Sequence, residues 1–142
     1  MNNLIKLRKF LKLSQKDISN IIEVERNTYS DYERKKLEFP IEKLNIIANR
    51  YELSLDYLLD LTNDYTSAVK EKNIEREEIG KILKHLREEH LLNQLELARL
   101  LDTHQSKISN YEKGKSLDFK VLKRYATFFS KTIDYLCGKV DK

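Results

Sequence analysis

The stretch "NQLELARLLDTHQSKISNYEK", Asn93 to Lys113, decides the fold, because the chain says nearly the same thing earlier. "SQKDISNIIEVERNTYSDYER", Ser14 to Arg34, lies 79 residues upstream. The copies share Gln15/Gln94, Ser30/Ser109, Tyr32/Tyr111 and Glu33/Glu112, and their apolar positions match at Ile18/Leu97, Ile22/Leu101 and Tyr29/Ile108. Leu4/Leu83, Leu7/Leu86 and Arg8/Arg87 keep the same offset. Leu44/Leu122, Ala48/Ala126 and the Asp-Tyr-Leu runs at 56–58 and 134–136 match one residue shorter. That is an internal duplication.

Each copy reads as short helices. Leu4, Leu7 and Leu11 recur at helical spacing, and Ser14 with Asp17 offers a capping pair for the next helix. Asn93 and Glu96 repeat that pair. Ile18, Ile21 and Ile22 form an apolar face, a break follows at Glu23-Val24-Glu25, and Tyr29 and Tyr32 point a third helix inward. Pro40 suits the first turn of a fourth helix faced by Leu44, Ile47, Ala48 and Tyr51. Ser54 and Thr132 cap the fifth helices, and Gly138 fits a stop. No strand is expected. The boundaries are a first domain over 1–61, a polar linker over 62–73, partly helical, and a second domain over 74–142. Asn73 is placed to cap the run from Ile74 to His90, whose first-turn acids suit the helix dipole.

Composition narrows the function. Three Gly, one Pro and a single Cys among 142 residues argue against a loop-rich or disulfide-built fold. Cys137 reads as a small buried hydrophobe. No apolar run is long enough for a membrane span, and the start is a poor signal peptide, so a soluble, cytoplasmic protein is expected. His85, His90 and His104 lack metal-ligand spacing, no Gly-rich phosphate loop exists and the Cys has no base partner. An enzyme, a cofactor, a metal and a small-molecule ligand are therefore not expected.

With these motifs in hand, both copies resemble the Xre, or lambda-repressor-like, family of helix-turn-helix DNA-binding domains. The pattern is a Gln opening helix 2, a small residue (Ser19, Ala98), a short turn, then Tyr/Ile-Ser-x-Tyr-Glu. The resemblance implies an all-α chain of two tandem five-helix domains. It further implies a sequence-specific regulator of transcription, a repressor, whose partner is double-stranded DNA. In each unit the third helix would lie in the major groove. With Tyr29/Tyr32 and Ile108/Tyr111 inward, the outward side chains are Arg26, Asn27, Ser30 and Asp31 in one copy. In the other they are Gln105, Ser106, Ser109 and Asn110. Amide side chains can pair with adenine and Arg with guanine. Phosphate contacts would fall to Gln15, Arg34, Lys35 and Lys36, and to Gln94, His104, Lys107, Lys113 and Lys115.

The copies depart from the family pattern unequally. The turn, where Gly is usual, has Glu23 and Asp102, and the later Gly is kept as Gly114 but replaced by Lys35. Glu25 stands at the entrance of the third helix. Residues 1–61 carry a net charge of +1, residues 62–78 −2, and residues 79–142 +5. The second copy therefore holds most of the attraction for a polyanion. The acidic face of the first copy motivates the alternative, a protein-interaction module (antitoxin, antirepressor or scaffold) in which one or both units have lost DNA. A covalent pair could also act as a pseudo-dimer, or the chain as a homodimer. Twelve linker residues reach at most about 40 Å, against about 34–36 Å between successive major grooves.

Overall fold

A computed structural model describes residues 1–65 and 69–140. Among them every regular element is a helix. The chain divides into two compact units, Met1–Asn73 and Ile74–Lys142. The first contains α1 (Asn2–Phe10), α2 (Gln15–Ile21), α3 (Arg26–Glu33), α4 (Ile41–Arg50) and α5 (Leu55–Leu58). The second repeats the order as α6 (Arg76–Glu89), α7 (Gln94–Leu100), α8 (Gln105–Glu112), α9 (Phe119–Phe129) and α10 (Ile133–Leu136).

The local start signals act as their chemistry requires. Ser14 Oγ accepts the Asp17 N–H at 3.0 Å while Asp17 Oδ2 accepts the Ser14 N–H at 2.8 Å. Asn93 and Glu96 form the same reciprocal box at 2.8 and 2.9 Å. Ser54 and Thr132 cap α5 and α10 through the N–H groups of Tyr57 and Tyr135, each at 3.0 Å. Asp118 caps α9 by accepting from Val121 at 2.8 Å, a signal with no counterpart at Pro40. Pro40 itself is the N-cap of α4, one residue ahead of the expected first turn.

Two readings of the junction change. Asn73 does not cap α6: the helix begins at Arg76, two residues beyond the expected start at Ile74, after an extended Glu75 that makes no side-chain cap bond. Glu77 and Glu78 in the first turn supply the favourable charge there instead. The stretch expected as a linker is bonded to the first unit on both sides of residues 66–68, which lie outside the described residues. Asn3 Nδ2 donates to the Thr62 carbonyl at 3.1 Å, and Asn45 and Asn49 hold Lys72. Its described residues contain no helix.

Each core is the inward stripe of these helices. Ile18, Ile22, Tyr29, Leu44, Ile47 and Leu58 are fully buried in one unit, and Leu83, Leu86, Leu97, Ile108, Leu122 and Leu136 in the other. Each such aliphatic side chain stabilises its domain by roughly 1.5–3 kcal/mol. Cys137 is buried among them. In the second unit α6 sits directly on the end of α8. A Cβ on Gly80 would come within 2.5 Å of the Glu112 carbonyl oxygen. Gly114 has φ +81 and faces the Arg76 carbonyl as closely.

Left-handed residues end the helices in register. Lys12/Leu91, Glu23/Asp102, Lys35/Gly114, Glu52/Ser130 and Asp60/Gly138 all have positive φ. Only two of these are glycine, and a residue with a Cβ pays on the order of 1–2 kcal/mol for that conformation. Replacing Glu23 (φ 59) by Gly should therefore raise the first domain's stability by roughly 1 kcal/mol, after the entropy that Gly adds to the unfolded chain. A urea midpoint that fell instead would mean the Glu23 side chain makes a compensating interaction.

Candidate nucleic-acid interface

The third helix of each unit presents one buried and one solvated stripe. On α8, Ile108 and Tyr111 are buried, Gln105, Ser106, Lys107 and Asn110 are exposed, and Ser109 is half-buried. On α3, Tyr29 and Tyr32 are buried, Arg26 and Asn27 exposed, and Ser30 and Asp31 half-buried. The buried pair lies three positions apart in each case, so the opposite side of the helix is free for a groove. Arg34, Lys35, Lys36, Lys113 and Lys115 are exposed after these helices. His104 is the exposed N-cap of α8, and Glu25 the exposed N-cap of α3, neither with a side-chain cap bond.

What fixes these helices is an ion pair that sequence reasoning passed over. Arg87 Nε meets Glu112 Oε2 at 2.6 Å and its NH2 meets Oε1 at 3.0 Å. Its NH1 donates to the Leu92 carbonyl at 2.8 Å, and Gln94 Nε2 donates to Glu112 Oε1 at 3.1 Å. One guanidinium thus ties α6, the loop before α7 and the end of α8 together. Arg8, Leu13, Gln15 and Glu33 repeat the arrangement at 2.8, 3.2, 3.1 and 3.1 Å. The signal was present: Arg8/Arg87 and Glu33/Glu112 are shared between copies at equal spacing. Gln15 and Gln94, expected on phosphates, each donate one amide hydrogen to these carboxylates and are half-buried.

The family described as "Helix-turn-helix domain" matches residues 2–64, and that described as "Helix-turn-helix" matches residues 83–136. The chain is a tandem pair of helix-turn-helix domains. A stretch of 68 residues, 48% of the chain, is 37% identical to a Bacillus subtilis (strain 168) protein named "Uncharacterized HTH-type transcriptional regulator YobD". The chain spans 61% of that relative's length. No solved structure matches.

The two helix-turn-helix units differ around their shared ion pair. Tyr29 on α3 and Tyr125 on α9 each bury a hydroxyl that no polar group among the described residues meets in good hydrogen-bond geometry, although Glu33 lies beside Tyr29. These positions are not equivalent: Tyr29 corresponds to Ile108, and Tyr125 to Ile47. All four side chains are fully buried, so a Tyr and an Ile have changed places and the volume of each core is preserved. Burial first, then the neighbouring Glu33, pushes the Tyr29 hydroxyl far above its ordinary range. Burial and the charge of Glu112 do the same to Tyr125. Burial alone would raise Glu33, but the bonds from Arg8 and Gln15 and the adjacent Tyr29 hydroxyl outweigh it and hold the carboxyl below the usual range.

The reading faces also differ in charge. Asp31 Oδ1 pairs with Arg34 NH2 at 3.0 Å, so a residue expected on bases and one expected on phosphates hold each other. Such an exposed pair contributes at most about 1 kcal/mol, and duplex contacts could displace it. On α8 no acid occupies the corresponding place, which is Asn110. No described helix is long and apolar enough to cross a membrane.

Proposed function

We propose that the chain is a DNA-binding regulator of transcription, a repressor, that reads the major groove chiefly with α8. The observation that carries this reading is the exposed row Gln105, Ser106 and Asn110 on a helix whose end is clamped from behind by Arg87. Amide side chains held rigidly can make paired hydrogen bonds to adenine, and a rigid helix loses little freedom on binding. Ser109 flanks the row. Lys107, His104, Lys113 and Lys115 surround it with donors for phosphate, joined by the unused donor of Gln94. In the first domain Arg26, Asn27, Ser30 and Asp31 would read bases, with Gln15, Arg34, Lys35 and Lys36 on the backbone. The setting is the cytoplasm, where duplex DNA is accessible, and repression follows from occluding a promoter.

Selection of bound duplexes from a random pool, followed by a salt titration, tests the proposal. The slope of log K against log salt should be about −0.9 for each phosphate neutralised. Binding indifferent to salt would contradict an electrostatic duplex interface. For repression, a reporter promoter overlapping the selected site should fall silent, and a rise in transcription would reverse that part. A second reading holds for the first domain only. Glu23 and Glu25 are exposed on its approach to DNA and Asp31 is half-buried on its reading face, which favours a protein there.

A further inference from the structure

In the first domain the outer face of α4 is covered by the domain's own chain. Asn45 Nδ2 and Asn49 Nδ2 donate to the Lys72 carbonyl at 2.6 and 3.1 Å, and the Lys72 N–H donates to Asn49 Oδ1 at 3.3 Å. An extended segment is thus held through its peptide group, which fixes its path with little demand on its side chains. Asn45 is only 3% exposed as a result.

In repeat register, Asn45 and Asn49 correspond to Lys123 and Thr127 on α9. There the same face is open. A groove of about 460 Å³ runs between the end of α7 and α9, lined by Leu100, Lys120, Lys123, Arg124, Thr127 and Phe128, with Asp102 its one acid. Leu100 is 55% and Phe128 40% exposed. The charge has changed too, because Glu42, Asn45 and Ile46 of α4 stand where Lys120, Lys123 and Arg124 stand on α9. These three cations make no ion pair among the described residues.

We propose that this groove docks an extended acidic peptide segment of another protein, bearing a large apolar side chain. The apolar residue would lie between Leu100 and Phe128, carboxylates would meet Lys120, Lys123 and Arg124, and the Thr127 hydroxyl would bond the passing backbone. A nucleic-acid backbone fits the cations but not the apolar walls. A segment like Val69–Asn73, with its two lysines, would be repelled.

The test is a display selection of random 12-residue peptides on the full chain. Enriched peptides should combine Asp or Glu with Leu, Phe or Met. Their affinity, read by fluorescence anisotropy, should fall at least tenfold in Lys123→Glu/Arg124→Glu and in Leu100→Ser, with unchanged circular dichroism and selected-duplex binding. The proposal is overturned if no peptide is enriched, if the enriched ones lack acids, or if either variant binds them as the parent does. Displacement of the peptides by duplex DNA would reassign the cations to phosphate. Self-association lost on the same substitutions would make a second copy the occupant, and so overturn it too.

Discussion

Glu112→Ala should destabilise the second domain by about 3–5 kcal/mol, the usual consequence of removing one partner of a buried ion pair. The Arg87 side chain is 10% exposed and that of Glu112 4%. Alanine would leave a guanidinium nearly out of water, with only the Leu92 carbonyl to satisfy it. Against a total of about 5–15 kcal/mol for a domain, that is a large fraction. Urea unfolding followed by ellipticity should show one transition moved and the first domain's unchanged. Arg87→Met combined with Glu112→Leu should cost less than either half alone, because no charge is stranded. If Glu112→Ala shifted stability by less than 1 kcal/mol, the pair would not be the clamp described. Duplex binding should fall with it, since the same bonds seat the end of α8.

The first domain adds a pH signature. Glu33 is held below its ordinary range, so its contribution is fully present above the unfolded value of about 4.3. It is lost as pH falls through the lower folded value, because protonation then favours the unfolded chain.

The helices were legible because each carries its own signal. Ser14, Asn93, Ser54 and Thr132 are short polar residues placed three before an N–H they can satisfy, and Tyr29/Tyr32 and Ile108/Tyr111 repeat at one helical turn. The left-handed turn at Glu23 and Asp102 was legible only through the family resemblance, which puts Gly there, since neither residue is a glycine. The Arg–Glu clamp was missed although both residues recur, because ion pairing depends on burial, and a helix-end Glu at 33 or 112 otherwise reads as solvated. Asn73 misled because a good cap residue acts only where the chain turns into a helix, and here Ile74 and Glu75 stay outside it. The exchange of Tyr29 and Ile47 for Ile108 and Tyr125 needs the packing of two helices, which no single window of sequence contains. The open face of α9 emerged only beside its covered counterpart.

Within the intact chain, Gln105→Ala or Asn110→Ala on α8 should cost about 1–3 kcal/mol at particular base pairs of a selected duplex, if each contact is bidentate. Arg26→Ala and Asn27→Ala on α3 should cost much less. The net charges of +5 and +1 bias encounter toward the second domain, although charge governs nonspecific affinity more than sequence preference. The local acids sharpen the difference. Glu25 caps α3 where a phosphate would approach, and a carboxylate there stabilises the helix dipole while repelling DNA. Asp31 and Arg34 must also part before either can serve a base or the backbone, whereas Asn110 carries no such partner charge. Anisotropy titrations of the four variants at one ionic strength measure the contrast, and a larger loss from the α3 changes would reverse the assignment. Glu25→Gln separates the two remaining cases. It should tighten duplex binding where α3 lies near phosphate, and it leaves binding unchanged where the first domain faces a protein.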